Sequence, residues 1–296
     1  MVKKLNLSNK NIQGILDLNE LEELEELDCS NNQITQITNI PRTLRYLNCS
    51  SNNIQSLLNL PNRLITLNCK SNQITELYYP FKTKPKKYPS NLVHLEFGYK
   101  FNDTIDDLPN KLQSVIFGNY FDKPIDNLPY TIKSIEFRTG DESDIPVTLF
   151  NHSVDLLPEG LEKLILSSVF NREVNDLPIN LLYLSFGYEF NQPINNLPNN
   201  LKYLEFRNVY SFHCNEISKF NQPLINLPKK LEAMNFCYFS KFNQPLDNLP
   251  DSIRELTLGF GFNQQVNYLP NNIIKIEIAD DKQKMLFDYK YHSLFN

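Results

Sequence analysis

Along most of the chain, apolar and polar positions follow one arrangement. A proline opens each cycle, at Pro41, Pro61, Pro89, Pro109, Pro129, Pro158, Pro178, Pro198, Pro228, Pro250 and Pro270, mostly 20 residues apart. Three residues after each stands Leu or Ile, as at Leu44, Leu112, Ile132, Leu201 and Ile273. Three further on comes a second apolar residue, such as Leu47, Leu95, Ile135, Leu184 or Leu204. Two beyond that lies Cys49, Cys69, Phe97, Phe117, Phe137, Phe186, Phe206 or Phe236. The last two positions alternate with polar ones, as in "YLNC" and "YLEF", which predicts a short strand with one buried face. Proline cannot donate to a sheet ladder, so it belongs between strands.

A turn of about 20 residues with one short strand cannot bury its apolar side alone. Stacking such turns in register buries it against its neighbours. The pattern therefore predicts a β-rich solenoid, a single superhelix of about 13 turns, with one parallel sheet and little helix. A right-handed course follows from the rule for parallel crossovers. Strands spaced about 4.8 Å apart would give a sheet on the order of 60 Å long.

Two dialects share the frame. Residues 5–77 read "LEELDCSNNQIT", "LRYLNCSSNNIQ" and "LITLNCKSNQIT". This resembles the leucine-rich repeat, and Asn32, Asn52 and Asn72 fall where a side-chain amide would satisfy backbone groups of the adjacent turn. Residues 89–279 read F-N-x-P-[IVL]-[DN]-x-L-P-x-x-L-x-x-L-x-F, in copies that begin at Phe101, Phe121, Phe150, Phe170, Phe190, Phe220, Phe242 and Phe262. This resembles the FNIP repeat, a leucine-rich-repeat relative found in amoebae and in the large DNA viruses that infect them. The two resemblances cover nearly the whole chain. They imply an architecture far more specifically than an activity, and no F-box segment, common in FNIP proteins, is visible.

Insertions interrupt the period at 78–88, which holds the basic run "KTKPKK", at 138–149 and at 207–219. The last two occupy the same slot and should project from the rim beside the C-terminal ends of the strands, a usual place for binding loops in solenoids. Residues 280–296 lose the period and read as a C-terminal cap containing a short helix. The whole of 1–296 reads as one repeat domain.

Composition narrows the function. The chain of 296 residues has a formal net charge of −5, which argues against a nucleic-acid binder with its clustered basic face. The N-terminus "MVKKLNLSNKNIQG" lacks the apolar core of a signal peptide, and no apolar run is long enough to span a membrane. Five cysteines, an odd number, fit a reducing intracellular setting; with the family resemblance, that means the host cytoplasm. Cys29, Cys49 and Cys69 recur at one inward position and read as core thiols rather than ligands. "FHCNE" lacks the companions that a zinc site needs. No catalytic, cofactor or metal residue is assigned.

Glu96, Glu136, Glu205 and Glu277 fall between the inward strand positions, so they should face solvent. No two adjacent turns both supply an acid, whereas glycoside hydrolysis needs a carboxylate pair. Gly98, Gly118, Gly187 and Gly259 follow the strands and read as turn glycines. The outward strand positions vary while the inward ones do not, and they include aromatic and charged groups of the kind favoured in protein recognition. The expected partner surface comprises His94, Glu96, Glu136, Lys163, Tyr183, Lys202, Tyr203, Glu205 and Arg207, with Phe212 and His213 in the rim loop. The chain is thus expected to be a non-catalytic scaffold or adaptor for protein partners, host proteins by resemblance, with no cofactor. The alternatives are a substrate receptor of a host ubiquitin ligase and a carbohydrate-active β-solenoid enzyme.

Overall fold

Each Pro-x-x-Leu step forms a tight turn that delivers the chain into a strand. The proline carbonyl accepts from the N–H three residues on, as in Pro61 to Leu64 and Pro198 to Leu201, both at 3.0 Å. The missing proline N–H costs nothing there, because no ladder partner waits for it. A computed structural model describes residues 2–75, 88–138, 148–207, 209–211 and 214–295 of the chain. It is a parallel-sheet β-solenoid of about 12 turns with little helix.

Two compact units divide the chain, Met1–Thr148 and Leu149–Asn296. The first carries parallel strands Lys4–Asn6, Glu26–Asp28, Tyr46–Asn48, Thr66–Asn68, His94–Glu96, Ser114–Phe117 and Ser134–Phe137. Their central residues pair in one line, Leu27 with Leu47, Leu67, Leu95, Val115 and Ile135. The second carries Lys163–Ile165, Tyr183–Phe186, Tyr203–Phe206, Ala233–Asn235, Glu255–Leu258 and Lys275–Ile278. There Leu164 aligns with Leu184, Leu204, Met234, Leu256 and Ile276. These residues are the predicted inward positions, and all are buried.

The interiors are filled in two ways. Cys29, Cys49 and Cys69 are free, fully buried thiols, and burial pushes the Cys29 and Cys69 thiols up to about 12. Beside them the Asn72 amide donates to the carbonyls of Cys49 (2.9 Å) and Cys69 (3.2 Å) and accepts from Ile54 N–H (2.9 Å). Asn52 and Asn32 repeat this role. In the FNIP-type turns, phenylalanines replace both devices. Phe186 stacks on Phe190 with centroids 3.6 Å apart, and Phe206 on Phe220 at 3.9 Å. Burying each ring stabilises the fold by about 1.5–3 kcal/mol.

Several features differ from the sequence expectation. The first unit has a second, two-stranded parallel sheet, Gln13–Asp17 with Gln33–Thr38, where the asparagine-containing turns run extended on their return side. The insertion after Arg207 forms an antiparallel hairpin of Val209–Ser211 and Cys214–Glu216. The glycines after the strands open tight turns, as where Phe101 N–H donates to the Gly98 carbonyl at 3.2 Å and Phe190 N–H to that of Gly187 at 3.3 Å, but none of the four has a positive φ. Proximity excludes a side chain at three of them: a Cβ would lie 2.6 Å from backbone at Gly118, 2.2 Å at Gly187 and 2.3 Å at Gly259, whereas at Gly98 the nearest atom is 3.2 Å away. The insertions at 78–88 and 138–149, with their basic run, fall largely outside the described residues.

The C-terminal segment forms two 3-10 helices, Asp281–Leu286 and Tyr289–Leu294. Gln283 donates to the carbonyls of Gly259 (2.9 Å) and Phe262 (2.8 Å), and the Phe287 ring lies 6.4 Å from that of Phe262. The last turn thus has its open apolar end covered, as a solenoid requires.

Candidate functional site

With the inward rows consumed by packing, chemistry available to a partner must come from the outer face of the strands and from their rims. In the Leu149–Asn296 unit, parallel pairing sets Lys163, Tyr183, Tyr203 and Ala233 side by side. The Lys163 ammonium lies 5.6 Å from the Tyr183 ring centroid, within cation–π range. The Tyr183 and Tyr203 rings are 6.3 Å apart. The Tyr183 hydroxyl donates to the Glu205 carboxylate, which fixes the ring. Tyr203 is 43% exposed, the most open aromatic of this ladder. Lys202 pairs with Glu232 at 2.8 Å, and that carboxylate raises the Lys202 pKa. Five of the expected residues, Lys163, Tyr183, Lys202, Tyr203 and Glu205, therefore form one contiguous patch.

The remaining expected residues separate. Arg207 is half-buried and donates to the Leu166 carbonyl at 2.9 Å, reaching across two turns; it braces the rim. His94 is exposed and Glu96 half-buried, at the two ends of one strand of the first unit with buried Leu95 between them. Glu136 is on the expected side of its strand but is only 5% exposed. The Arg138 guanidinium covers it at 2.5 Å, so the expectation that it faces solvent fails. Ser185, in the corresponding row of the second unit, is wholly buried, and Ile165 is buried beside it. This row is outward by periodicity but sheltered by long neighbouring side chains. Phe212 and His213 lie outside the described residues.

One exposed cluster has no counterpart among the expected residues. Tyr238 (45% exposed) and Phe260 (48%) meet edge-on with centroids 4.6 Å apart, and Phe239 lies 5.0 Å from Tyr238. The sequence signal was present in "CYFS" and "GFGF", where aromatic residues fall out of the inward period. The acids of the sheet face are engaged locally: Glu205 by Tyr183, Glu136 by Arg138 and Glu277 by Lys275 at 2.6 Å. The Lys275 ammonium holds Glu277 below the usual carboxylate range. Among the described residues, no three His, Cys, Asp or Glu side chains gather as a metal would require. No helix in the described residues is long and apolar enough to cross a membrane.

The FNIP Repeat family matches residues 101–139, 173–208 and 242–281, so the repeats read from the sequence are present. Solved structures similar to this chain are leucine-rich-repeat proteins. CroV588, a circular leucine-rich-repeat protein of the giant virus CroV, is 29% identical, with a TM-score of 0.41. The match covers 87% of this chain and 46% of CroV588, so the chain spans less than half of that protein's length. YopM from Yersinia pestis, a leucine-rich effector protein, is 21% identical with a TM-score of 0.58 over 99% of this chain and 88% of its own. YopM from Yersinia enterocolitica WA-314 is 25% identical with a TM-score of 0.46, over 94% and 69%. The Yersinia pestis likeness shows the fold. Comparison with curated proteins finds no match.

Proposed function

We propose that this chain is a non-catalytic protein-interaction scaffold that engages its partner through the Lys163–Tyr183–Tyr203 ladder and the adjoining Lys202 and Glu205. One observation carries the reading: Tyr203 is exposed beside a tyrosine already held by Glu205. A large ring fixed before binding adds contact area while losing little conformational freedom on association. The leucine-rich-repeat fold is commonly used for binding proteins, and the resemblance to FNIP proteins makes a host protein in the cytoplasm the partner of choice. The exposed Tyr238–Phe260 cluster extends the surface at the rim. The ubiquitin-ligase and carbohydrate-active alternatives draw no specific support from the geometry. Glu205 and Glu136 are each committed to a neighbouring side chain, and among the described strand pairs no acid has an acid as its register neighbour.

Quantitative affinity capture from host-cell lysate tests the reading, using the wild-type chain and Tyr183→Ala/Tyr203→Ala. A partner held by wild type should be depleted by about tenfold or more with the double variant, the usual scale for losing aromatic anchors. Undiminished capture by a variant that keeps its wild-type melting temperature would remove this face from the interface.

A further inference from the structure

A different feature lies in the Met1–Thr148 unit, where the turns enter their strands. Arg45, Ile65 and Val93 are consecutive rungs there: Ile65 N–H donates to the Arg45 carbonyl and Val93 N–H to the Ile65 carbonyl, both at 2.8 Å. Two residues before Ile65 and Val93 stand Arg63 and Asn91, and Lys111 occupies the same place in the following turn. These six side chains line an open groove of about 420 Å³. Its floor is aliphatic, from Ile65 and Val93, and its walls carry three cations and one amide. Asn91 donates to the Asn62 carbonyl at 2.9 Å and accepts from the Lys111 ammonium at 2.6 Å. It thereby holds the ammonium at the groove.

The charge is compensated only in part. Among the described residues, no carboxylate makes an ion pair with Arg45, Arg63 or Lys111. The neighbouring rung carries Glu25, since Arg45 N–H donates to its carbonyl. Its carboxylate pairs with Lys3 at 2.7 Å and is also held below its ordinary pKa in part by the Arg45 guanidinium, which leaves Arg63 and Lys111 without an acid among the described residues. Three like charges around one concavity repel one another, in a chain whose net charge is −5. The side chains are exposed, so water and salt carry part of that repulsion, and a multivalent anion would relieve the rest.

We propose that this groove binds a compact polyphosphate group, as a free ligand or as the headgroup of a phosphorylated lipid. Two planar guanidinium forks suit the paired oxygens of phosphoryl groups, and the lysine adds a point charge. A phosphoryl group carries about −1.5 to −2 at neutral pH, so two of them match three cations where one carboxylate cannot. The volume accommodates more than one such group, and the aliphatic floor excludes water from one side.

Isothermal titration of the full chain with inorganic tripolyphosphate tests this at about 0.15 M salt, where distant surface charges are screened. Binding is expected, weakened roughly tenfold by Arg63→Gln and again by Lys111→Gln, and lost in the triple variant with Arg45→Gln. The replaced residues are exposed, so circular dichroism and melting temperature should stay at wild-type values. Lys229→Gln, on a turn of the other unit, should bind as wild type does. Co-sedimentation with phosphatidylcholine vesicles, plain or containing phosphatidylinositol bisphosphate, separates the two sources. Binding to the phosphorylated vesicles assigns a headgroup, and tripolyphosphate binding alone assigns a free ligand. The proposal is overturned if tripolyphosphate does not bind, if the triple variant binds equally, or if a hexaglutamate peptide binds as tightly.

Discussion

The turns of residues 5–75 and those from Phe150 onward build the same parallel ladder around different interiors. In the first set, the strand ends in a small thiol, and the chain then bends through a residue with positive φ: Asn31, Ser51 and Ser71 at 51–54°. The bend drives peptide groups inward, and buried Asn52 and Asn72 satisfy them. In the second set, three strands end in phenylalanine (Phe186, Phe206 and Phe236), and a second phenylalanine four or more residues later lies flat against each; Leu166, Leu258 and Ile278 close the others. Asparagine does not disappear; it moves to the surface. Asn171, Asn191, Asn221 and Asn243 each accept from the backbone N–H of the equivalent asparagine one turn on, at 2.9 Å. The repeat length is thus compatible with a polar-satisfied interior or an aromatic one. What both require is one inward line of aliphatic residues and a turn that spends no ladder hydrogen bond on proline.

The largest effect should come from breaking the aromatic interior. Phe206 is fully buried and touches Phe186, Phe220 and Phe236, with centroids at 5.6, 3.9 and 5.4 Å. Phe206→Ala is expected to cost about 3–5 kcal/mol, read from the urea midpoint. A loss under about 1 kcal/mol would mean that the stacked rings relax to fill the gap.

Next in size, the two uses of asparagine should separate. Asn72→Ala strands the Cys49 and Cys69 carbonyls and the Ile54 N–H in the interior, at a cost of about 2–3 kcal/mol. Asn191→Ala removes an acceptor at 2.9 Å from the N–H of exposed Asn221, where water can replace it. There the loss should stay under about 1 kcal/mol. Equal losses at the two positions would erase the distinction between an interior and a surface ladder.

These contrasts also show what the sequence made legible. Inward positions such as Leu47, Leu184 and Phe206 follow from periodicity alone, because burial repeats every turn. Asn52 and Asn72 were legible because a polar residue in an apolar row must have a backbone client. The second sheet of Gln13–Asp17 with Gln33–Thr38 was not, since its pairing depends on how the return path closes in space. Periodicity assigned Glu136 and Ser185 to the outer face, and the structure shelters both. Exposure there depends on the reach of neighbouring side chains, such as Arg138 over Glu136, which spacing does not encode. The glycines that follow four of the strands were visible as a pattern, but the reason at Gly118, Gly187 and Gly259, the nearness of the preceding turn's backbone, needs coordinates. The Tyr183–Tyr203 ladder was visible as residue types, and the hydrogen bond to Glu205 that fixes Tyr183 was not. Arg45, Arg63 and Lys111 precede the strands, where the period fixes no direction, so their convergence on one groove is not encoded in spacing.

The smallest difference concerns pH. Burial raises the Cys69 thiol from about 9 to about 12, whereas the equivalent position of the FNIP-type turns is phenylalanine, leucine or isoleucine and does not titrate. Between those values the folded chain holds a proton at Cys69 that the unfolded chain releases. Stability from this group is therefore complete below about pH 9 and declines as pH rises toward 12, by about 1.4 kcal/mol per pH unit. Cys69→Ala abolishes that slope. The gap between wild type and Cys69→Ala in urea should narrow by about 1 kcal/mol from pH 8 to pH 10. The gap between wild type and Phe206→Ala should hold constant over the same range, because neither side chain takes up a proton. A constant Cys69 gap would show that the thiol is reached by water in the native state, and the thiol-lined interior would then be less closed than the aromatic one.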